Sequence, residues 1–449
     1  NYSLLTPIWY SLVEWEAEHM KRRFFAFSVC MAVLLAFFTG CYSAQKNGPS
    51  APASSQTVQS DSGSATENSV EIRTYDIPEE NVQAGTRYVP SPTTGGFWMW
   101  TLFIQDYIQA YDPVTKSTYI PCYQTGCEHS DAFCSAYFGE ISGLAEYRGN
   151  FYAMIYYNDD TASAFVTRPV SGGPLQILAS WEPENDNEVY RCGFYGLSFG
   201  KAYLTVSKET YTLTEDGQQE LVGEEYSDCS FDLKTGKMME LMRDVDGTLP
   251  YMYGVWEDSV VYQTLETVKG APAFEDWVAQ QPEGTPWDLY GRQYYNYRLY
   301  SRNLKTGDEK TIVDMSENFV WTADPHKSWG QYVVYQVGRS VYVYDMETQT
   351  VKELFTYDQD WKNYNYMILD GHVIAICGTG DTCRAWAIDI ADESVVELDT
   401  RGGNAIAITP EYECNDYIVG LLANQTGKVE EYYISKEDFY RSNYDGTFS

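Results

Sequence analysis

One short unit recurs along this 449-residue chain: an apolar strand, an Asp- or Asn-led polar turn, and a second strand. The tightest copies are Tyr111-Asp112-Pro113-Val114-Thr115-Lys116, Phe231-Asp232-Leu233-Lys234-Thr235-Gly236, Arg302-Asn303-Leu304-Lys305-Thr306-Gly307 and Tyr344-Asp345-Met346-Glu347-Thr348-Gln349. Looser copies stand at Arg168-Pro169-Val170-Ser171-Gly172-Gly173 and at Ile388-Asp389, and Ile434-Ser435-Lys436 makes a seventh. The leading carboxylate or amide accepts hydrogen bonds from turn amides, and a trailing Gly or Asn-like residue supplies a left-handed position. Each turn therefore closes a tight antiparallel hairpin. Helical periodicity is almost absent.

The turns are spaced by 56, 64, 71, 42, 44 and 46 residues. The short intervals match the period of a four-stranded propeller blade, and the long ones fit blades with insertions. The expected fold is all-β: a β-propeller of four-stranded antiparallel blades over residues 71–449. Seven turns point to seven blades. Six or eight also fit the spacing, and a pair of β-sandwiches is the competing architecture. Closing the ring removes the exposed sheet edge. Glu71 to Tyr75 is the expected closing strand, paired into the last blade.

Three insertions interrupt the pattern, at 122–143, 208–224 and 265–292. In a propeller, the loop between a blade's second and third strands opens on the same face as the loop between blades. All three insertions are therefore expected on one face, where loops carry binding residues. The third is the richest in aromatics: Trp277, Trp287, Tyr290, Tyr294 and Tyr295 are the candidate ligand contacts. The alternative is that these rings pin the insertion to the blade. The 40 Tyr and 12 Trp of the chain also suit pleated, half-buried surfaces.

The chain's N-terminal part carries an address. Met20 is followed by Lys21-Arg22-Arg23, an apolar run from Phe24 to Phe38, and Thr39-Gly40-Cys41. Charged region, apolar run and small residues before a cysteine resemble a bacterial lipoprotein signal, with Phe38 where Leu is usual. The run is shorter than the roughly 20 residues that cross a bilayer. The resemblance implies lipidation of Cys41, firm membrane anchoring, and a location on the outer face of the cytoplasmic membrane. Residues 1–19 read as a mistranslated leader and 20–40 as the signal peptide. From Tyr42 to about Val70 the chain is rich in Ser, Ala, Gly, Gln, Asn and Pro, which cannot form a core. It reads as a tether spanning roughly 30 Å.

The formal charge is −34. Residues 1–40 hold three basic and three acidic side chains, so the remainder keeps all of it. Phosphate contacts need clustered Lys and Arg, so nucleic acid is not an expected partner.

Three cysteines and a histidine crowd one stretch: Cys122, Cys127, His129 and Cys134. Three thiolates and one imidazole complete a tetrahedral zinc set, structural because it leaves no open position. Disulfides or free thiols are the competing reading outside the cytoplasm, although three local cysteines leave one unpaired. The Cys…Cys-x-His…Cys segment, followed by Ser135-Ala136-Tyr137 and combined with signal, tether and repeats, resembles a large group of uncharacterised surface lipoproteins of Gram-positive anaerobes. That resemblance implies an extracytoplasmic location and a propeller fold, and no catalytic residues. Cys377 and Cys383 sit at facing ends of a predicted hairpin and are candidates for a disulfide. Cys192, Cys229 and Cys414 read as buried thiols.

Enzyme signatures are thin. Gly196-Leu197-Ser198-Phe199-Gly200 matches G-x-S-x-G, but Lys201 to Val206 reads as a strand where that motif needs a helix. Beyond Cys41 only His129, His326 and His372 remain, and His372 opens an apolar strand as a structural residue would. Asp244-Val245-Asp246-Gly247 reads as an acidic turn rather than a calcium turn. The expectation is a lipid-anchored, monomeric propeller that binds a glycan, peptide or partner protein without catalysis. The alternatives are a propeller enzyme acting on polysaccharide through a carboxylate pair, or an envelope accessory or sensor subunit.

Overall fold

The Asp- and Asn-led turns form as hydrogen-bonded units in the computed structural model of the chain. Asp232 Oδ1 accepts from the amides of Lys234 and Thr235 at 3.0 and 2.8 Å. Asn303 Oδ1 does the same for Lys305 and Thr306 at 2.9 and 3.0 Å, and Asp345 Oδ1 for Glu347 and Thr348 at 2.9 and 3.2 Å. Asp389 Oδ1 takes Ala391 and Asp392 at 2.7 and 3.1 Å. Left-handed residues complete these turns: Gly236 at φ 68°, Gly307 at 76°, Gln349 at 56° and Glu393 at 65°.

The structure describes residues 80–443 apart from short internal stretches. Residues 1–79, and with them the signal, Cys41, the tether and the Glu71–Tyr75 closing strand, lie outside the described residues, as do Asp244 to Gly247, Trp287 and His326.

The described strands build a seven-bladed β-propeller, with each blade an antiparallel meander that starts at the central channel. A first strand, β1 (Asn81–Gln83), precedes the blades. Blade 1 holds β2 (Tyr88–Pro90), β3 (Phe97–Met99), β4 (Gln109–Asp112) and β5 (Ser117–Tyr119). Blade 2 holds β6 (Glu140–Tyr147), β7 (Asn150–Tyr157), β8 (Ala162–Pro169) and β9 (Gln176–Trp181). Blade 3 follows with β10 (Glu188–Ser198), β11 (Lys201–Leu213), β12 (Gln219–Asp232) and β13 (Lys237–Arg243). Blade 4 has β14 (Leu249–Trp256), β15 (Ser259–Thr267), β16 (Tyr295–Asn303) and β17 (Glu309–Met315), with the short helix α1 (Phe274–Val278) in its insertion. Blade 5 has β18 (Val320–Thr322), β19 (Tyr332–Val337), β20 (Ser340–Asp345) and β21 (Thr350–Thr356). Blade 6 has β22 (Tyr364–Leu369), β23 (His372–Cys377), β24 (Arg384–Asp389) and β25 (Val395–Leu398). Blade 7 contributes β26 (Ala405–Cys414), β27 (Tyr417–Asn424) and β28 (Val429–Ser435), then the helix α2 (Lys436–Tyr440).

The core lies between blades. Seven buried clusters each join two neighbours, and the seventh, of Phe97, Tyr111, Tyr412, Cys414 and Val419, joins blade 1 to blade 7. A row of seven sheets would have six such interfaces, so the seventh closes the ring. Tyr433 of blade 7 stacks on Tyr111 of blade 1 with centroids 3.9 Å apart and planes at 5°.

Inner strands carry a bulge at a recurring place, at Ile141/Gly143, Phe194/Gly196 and Met252/Gly254. A bulge increases local twist. Gly254 is also required by packing, because a Cβ there would lie 2.6 Å from Val333 Cγ2 of blade 5.

Carboxylates lock adjoining blades. Glu146, buried at the end of β6, accepts from Ser91 Oγ, Trp98 Nε1 and the amide and hydroxyl of Thr93, all in or beside the first hairpin of blade 1. At the other end of the chain, Ser435 caps α2 by accepting from the Asp438 amide at 3.1 Å, so the seventh turn copy becomes a helix start. That helix places Lys436 Nζ 2.9 Å from Asp370 of blade 6 and 3.1 Å from Glu413 of blade 7. Side chains of Lys436 and Asp370 are 3% and 0% exposed. Removing one partner of such a buried pair strands the other charge. Lys436→Met is expected to cost about 3 kcal/mol of folding stability, measured by denaturant unfolding of the full chain.

Candidate metal centre

The Cys/His segment spans the gap between β5 and β6, and so between blades 1 and 2. Backbone and side-chain bonds fix it at both sides. Ile108 donates to the Ala136 carbonyl at 2.9 Å, and Tyr107 bridges Tyr137. Ser135 Oγ donates to the Pro121 carbonyl at 2.9 Å, and Gln124 Nε2 to the Phe133 carbonyl at 2.9 Å. Cys134, Ala136 and Phe138 are buried in the cluster that joins blades 1 and 2. Below them lies Arg168, only 1% exposed, whose Nη1 donates to the carbonyls of Cys134 and Tyr137 at 2.7 and 2.8 Å. Its guanidinium also stands 5.2 Å from the centroid of the Phe138 ring.

This frame brings the four expected ligands together. The thiol sulfurs of Cys122, Cys127 and Cys134 and a ring nitrogen of His129 all lie within 4.8 Å of one another. A tetrahedron with metal–sulfur bonds of about 2.3 Å has edges of about 3.8 Å, so the group could hold a metal ion. His129 Nδ1 is 3.2 Å from Cys134 Sγ, and the His129 amide donates to Cys127 Sγ at 3.4 Å. His129 takes a left-handed backbone, φ 57°, which turns its ring back onto the thiols. All three cysteines are free thiols in this structure. Burial pushes the Cys134 thiol up to about 11, with Cys122 and Cys127 adding to the rise. Burial also raises Cys122, but bonds from the Gln124 amide and the thiols of Cys127 and Cys134 outweigh it and hold it at about 7.

The other candidates fall elsewhere. Trp277 and Tyr290 are buried against each other at 5.4 Å, with Phe274, Tyr294 and Tyr295 packed on Tyr290 at 5.2, 4.9 and 5.7 Å. Tyr290 donates to the Pro272 carbonyl at 2.6 Å, so these rings form a small core within the insertion. The 208–224 insertion is a prolongation of β11 and β12, paired as far as Leu213 and Gln219. Cys377 and Cys383 are free thiols, and Cys377 donates to Tyr357 Oη at 3.3 Å. Burial pushes Cys192, Cys377 and Cys414 up to about 12. Gly196 to Gly200 runs strand–turn–strand, and His372 is buried, its Nδ1 2.6 Å from the Asp370 carbonyl.

Sequence reasoning missed Arg168 as the anchor of the metal loop. Its signal was available: an arginine closing an apolar strand, in a chain with 30 basic residues against 64 acidic ones.

No family model and no curated protein matches the chain. Among solved structures, a puromycin-hydrolysing peptidase of Mycobacterium tuberculosis matches at 11% identity and TM-score 0.48, over 80% of this chain and 52% of its own. An acylaminoacyl peptidase of Pyrococcus horikoshii matches at 10% identity and TM-score 0.46, over 79% and 52%. The β-propeller domain of the Trilobed protease of Pyrococcus furiosus matches at 10% identity and TM-score 0.43, over 82% and 97%. The chain spans about half the length of the first two. These likenesses concern the fold. Several of the matched structures are peptidases, and the expectation of a non-enzymatic binding module is not retained.

The Arg168 anchor is open to test. Arg168→Leu removes the Arg168 donor from the carbonyls of Cys134 and Tyr137, leaving Cys134 its bond from the Tyr137 amide, at a total cost of about 1–3 kcal/mol. The expected outcome is a folded chain in which Cys134, inert to thiol reagents in the parent, becomes reactive, as read by labelling and peptide mapping.

Proposed function

We propose that this chain is the propeller part of a peptidase-type enzyme, held outside the cytoplasmic membrane by a lipid on Cys41, with one zinc ion in the loop between blades 1 and 2. The observation that carries the peptide-handling part is β1. An extended stretch of chain lies in antiparallel register along the channel edge of blade 3, pairing Asn81 with Ser198, Val82 with Leu197 and Gln83 with Gly196. The ring therefore already accommodates polypeptide in the extended form that a peptidase must handle. Location is supported by the signal-like sequence alone. Zinc is supported by the donor set, since soft thiolates with one imidazole suit that ion. Cys122, Cys127, Cys134 and His129 would hold it, with all four positions filled by protein. Its role is then structural: it would close the 122–134 loop on itself, beside the Arg168 bonds that join that loop to blade 2.

Two measurements test this reading. Metal analysis of protein purified without chelator is expected to give one zinc per chain, lost in Cys127→Ser together with a clear drop in melting temperature. An equal metal content in parent and variant excludes the site. The full chain is expected to bind at least one member of a fluorescent panel of free and acylated aminoacyl and dipeptidyl amides, read by anisotropy, as the peptide-handling part of such an enzyme would. Binding no greater than in chain-free controls overturns the peptide-handling reading.

A further inference from the structure

We propose that the channel edge of blade 3 is a strand-addition site for an extended peptide, and that residues 80–85 are its built-in, displaceable occupant. An inner strand turns one row of amides and carbonyls toward the channel, and such an edge is a template for pairing. An added strand gains affinity from its main chain and specificity from alternate side chains. Residues 80–85 meet both conditions. Phe199 donates to the Glu80 carbonyl at 2.8 Å, and Ala84 to the Tyr195 carbonyl at 2.9 Å. The segment then crosses to blade 2, where Gly85 and Leu144 exchange bonds of 2.9 and 3.0 Å. Glycines admit this backbone: Gly196 faces Gln83, and Gly143 lies beside the Gly85 carbonyl.

The side chains specify a pattern. Val82 and Ala84 are buried in the cluster between blades 2 and 3. Glu80 stands at the mouth, where Arg148 Nη2 donates to both of its oxygens at 2.8 and 2.6 Å and Tyr147 Oη donates at 3.3 Å. The site therefore selects an extended peptide with an acidic residue followed, two and four positions on, by small apolar residues.

The occupant is removable because the ring does not rest on it. Blade 3 has four strands without β1, and Val82 and Ala84 supply only two of the twelve buried residues in the cluster between blades 2 and 3. The anchoring ion pair is largely in water, with side chains 61% and 45% exposed, so it holds weakly. A segment that supplies so small a share of an interface can open locally while the rest stays folded. The site stands whether or not the chain hydrolyses anything; its failure would remove only the support that β1 lends to the peptidase reading.

The probe is a fluorescein-labelled peptide with the sequence of residues 79–86. In the full chain, Val82→Asp places a charge in the apolar cluster and weakens the built-in strand. This variant is expected to bind the peptide at least tenfold more tightly than the parent, and adding Arg148→Ala is expected to weaken that binding about two- to fivefold. A folded Val82→Asp chain that binds no better than the parent overturns the proposal. Hydrogen exchange on the unaltered chain decides independently, including where the variant fails to fold. The amides of Ala84 and Gly85 are expected to exchange at least tenfold faster than those of β11 paired within blade 3. Exchange at the same rate as β11 shows a permanent part of the core and overturns the proposal.

Discussion

Closure of the ring is the constraint on which the rest of this structure depends. Six of the seven blade interfaces join neighbours in sequence. The seventh joins chain segments more than 300 residues apart, with Cys414 donating to the Gly96 carbonyl across a separation of 318 residues. Tyr433 stacks on Tyr111 and its ring also meets Phe97 at 5.0 Å. Flat aromatic contacts suit this place, because they bury large area with few rotatable bonds. Ordering so long a loop opposes closure, although its cost rises only slowly with length. Contacts of such separation form late and slow folding. Each neighbour interface can form as its two blades appear, whereas this one waits for the whole chain.

Much of the fold was legible because its turns rest on local chemistry. An Asp or Asn followed by two amides makes the same turn in blades 3 to 6, and the residues that do it are neighbours in sequence. The metal loop was legible for the same reason, since its four donors lie within thirteen consecutive residues, 122 to 134. What stayed hidden depends on distant partners. Arg168 reads as a turn residue until blade 1 supplies the carbonyls that it holds. Ile434-Ser435-Lys436 reads as one more hairpin, but Asp438 gives Ser435 an amide to cap and the chain turns into a helix. The 208–224 insertion reads as a loop, yet β11 and β12 continue pairing through it. Glu80 to Gly85 carries no strand signature at all, since its register comes from β10. The inner-strand bulges did leave a trace, in Ser142-Gly143-Leu144, Tyr195-Gly196-Leu197 and Tyr253-Gly254-Val255, a Gly and an aliphatic residue just ahead of each first hairpin. The functional expectation failed for a different reason: a propeller framework is compatible with binding and with catalysis, and residue patterns on the blades do not separate them.

The two faces of the ring are chemically distinct. One bears the first and last hairpin turns of each blade, with Glu146, Asp370 and Lys436 buried just beneath it as ionic and hydrogen-bonded locks between neighbours. The other bears the prolonged β11–β12 hairpin and the α1 insertion. Stabilising polar contacts therefore gather beneath the plain face, and sequence-specific decoration gathers on the other. This division lets insertions vary without touching the locks.

The course of β1 has a mechanical consequence. Running antiparallel to β10, it passes from the hairpin-turn face toward the opposite face. A pull applied upstream of Glu80 and directed away from the hairpin-turn face acts along the strand axis. Its bonds to Phe199, Tyr195 and the β10 register partners are then loaded together in shear rather than peeled in turn. The ring would resist such tension as a single unit up to a threshold and then release the segment in one step, whereas a pull from the side would open it bond by bond.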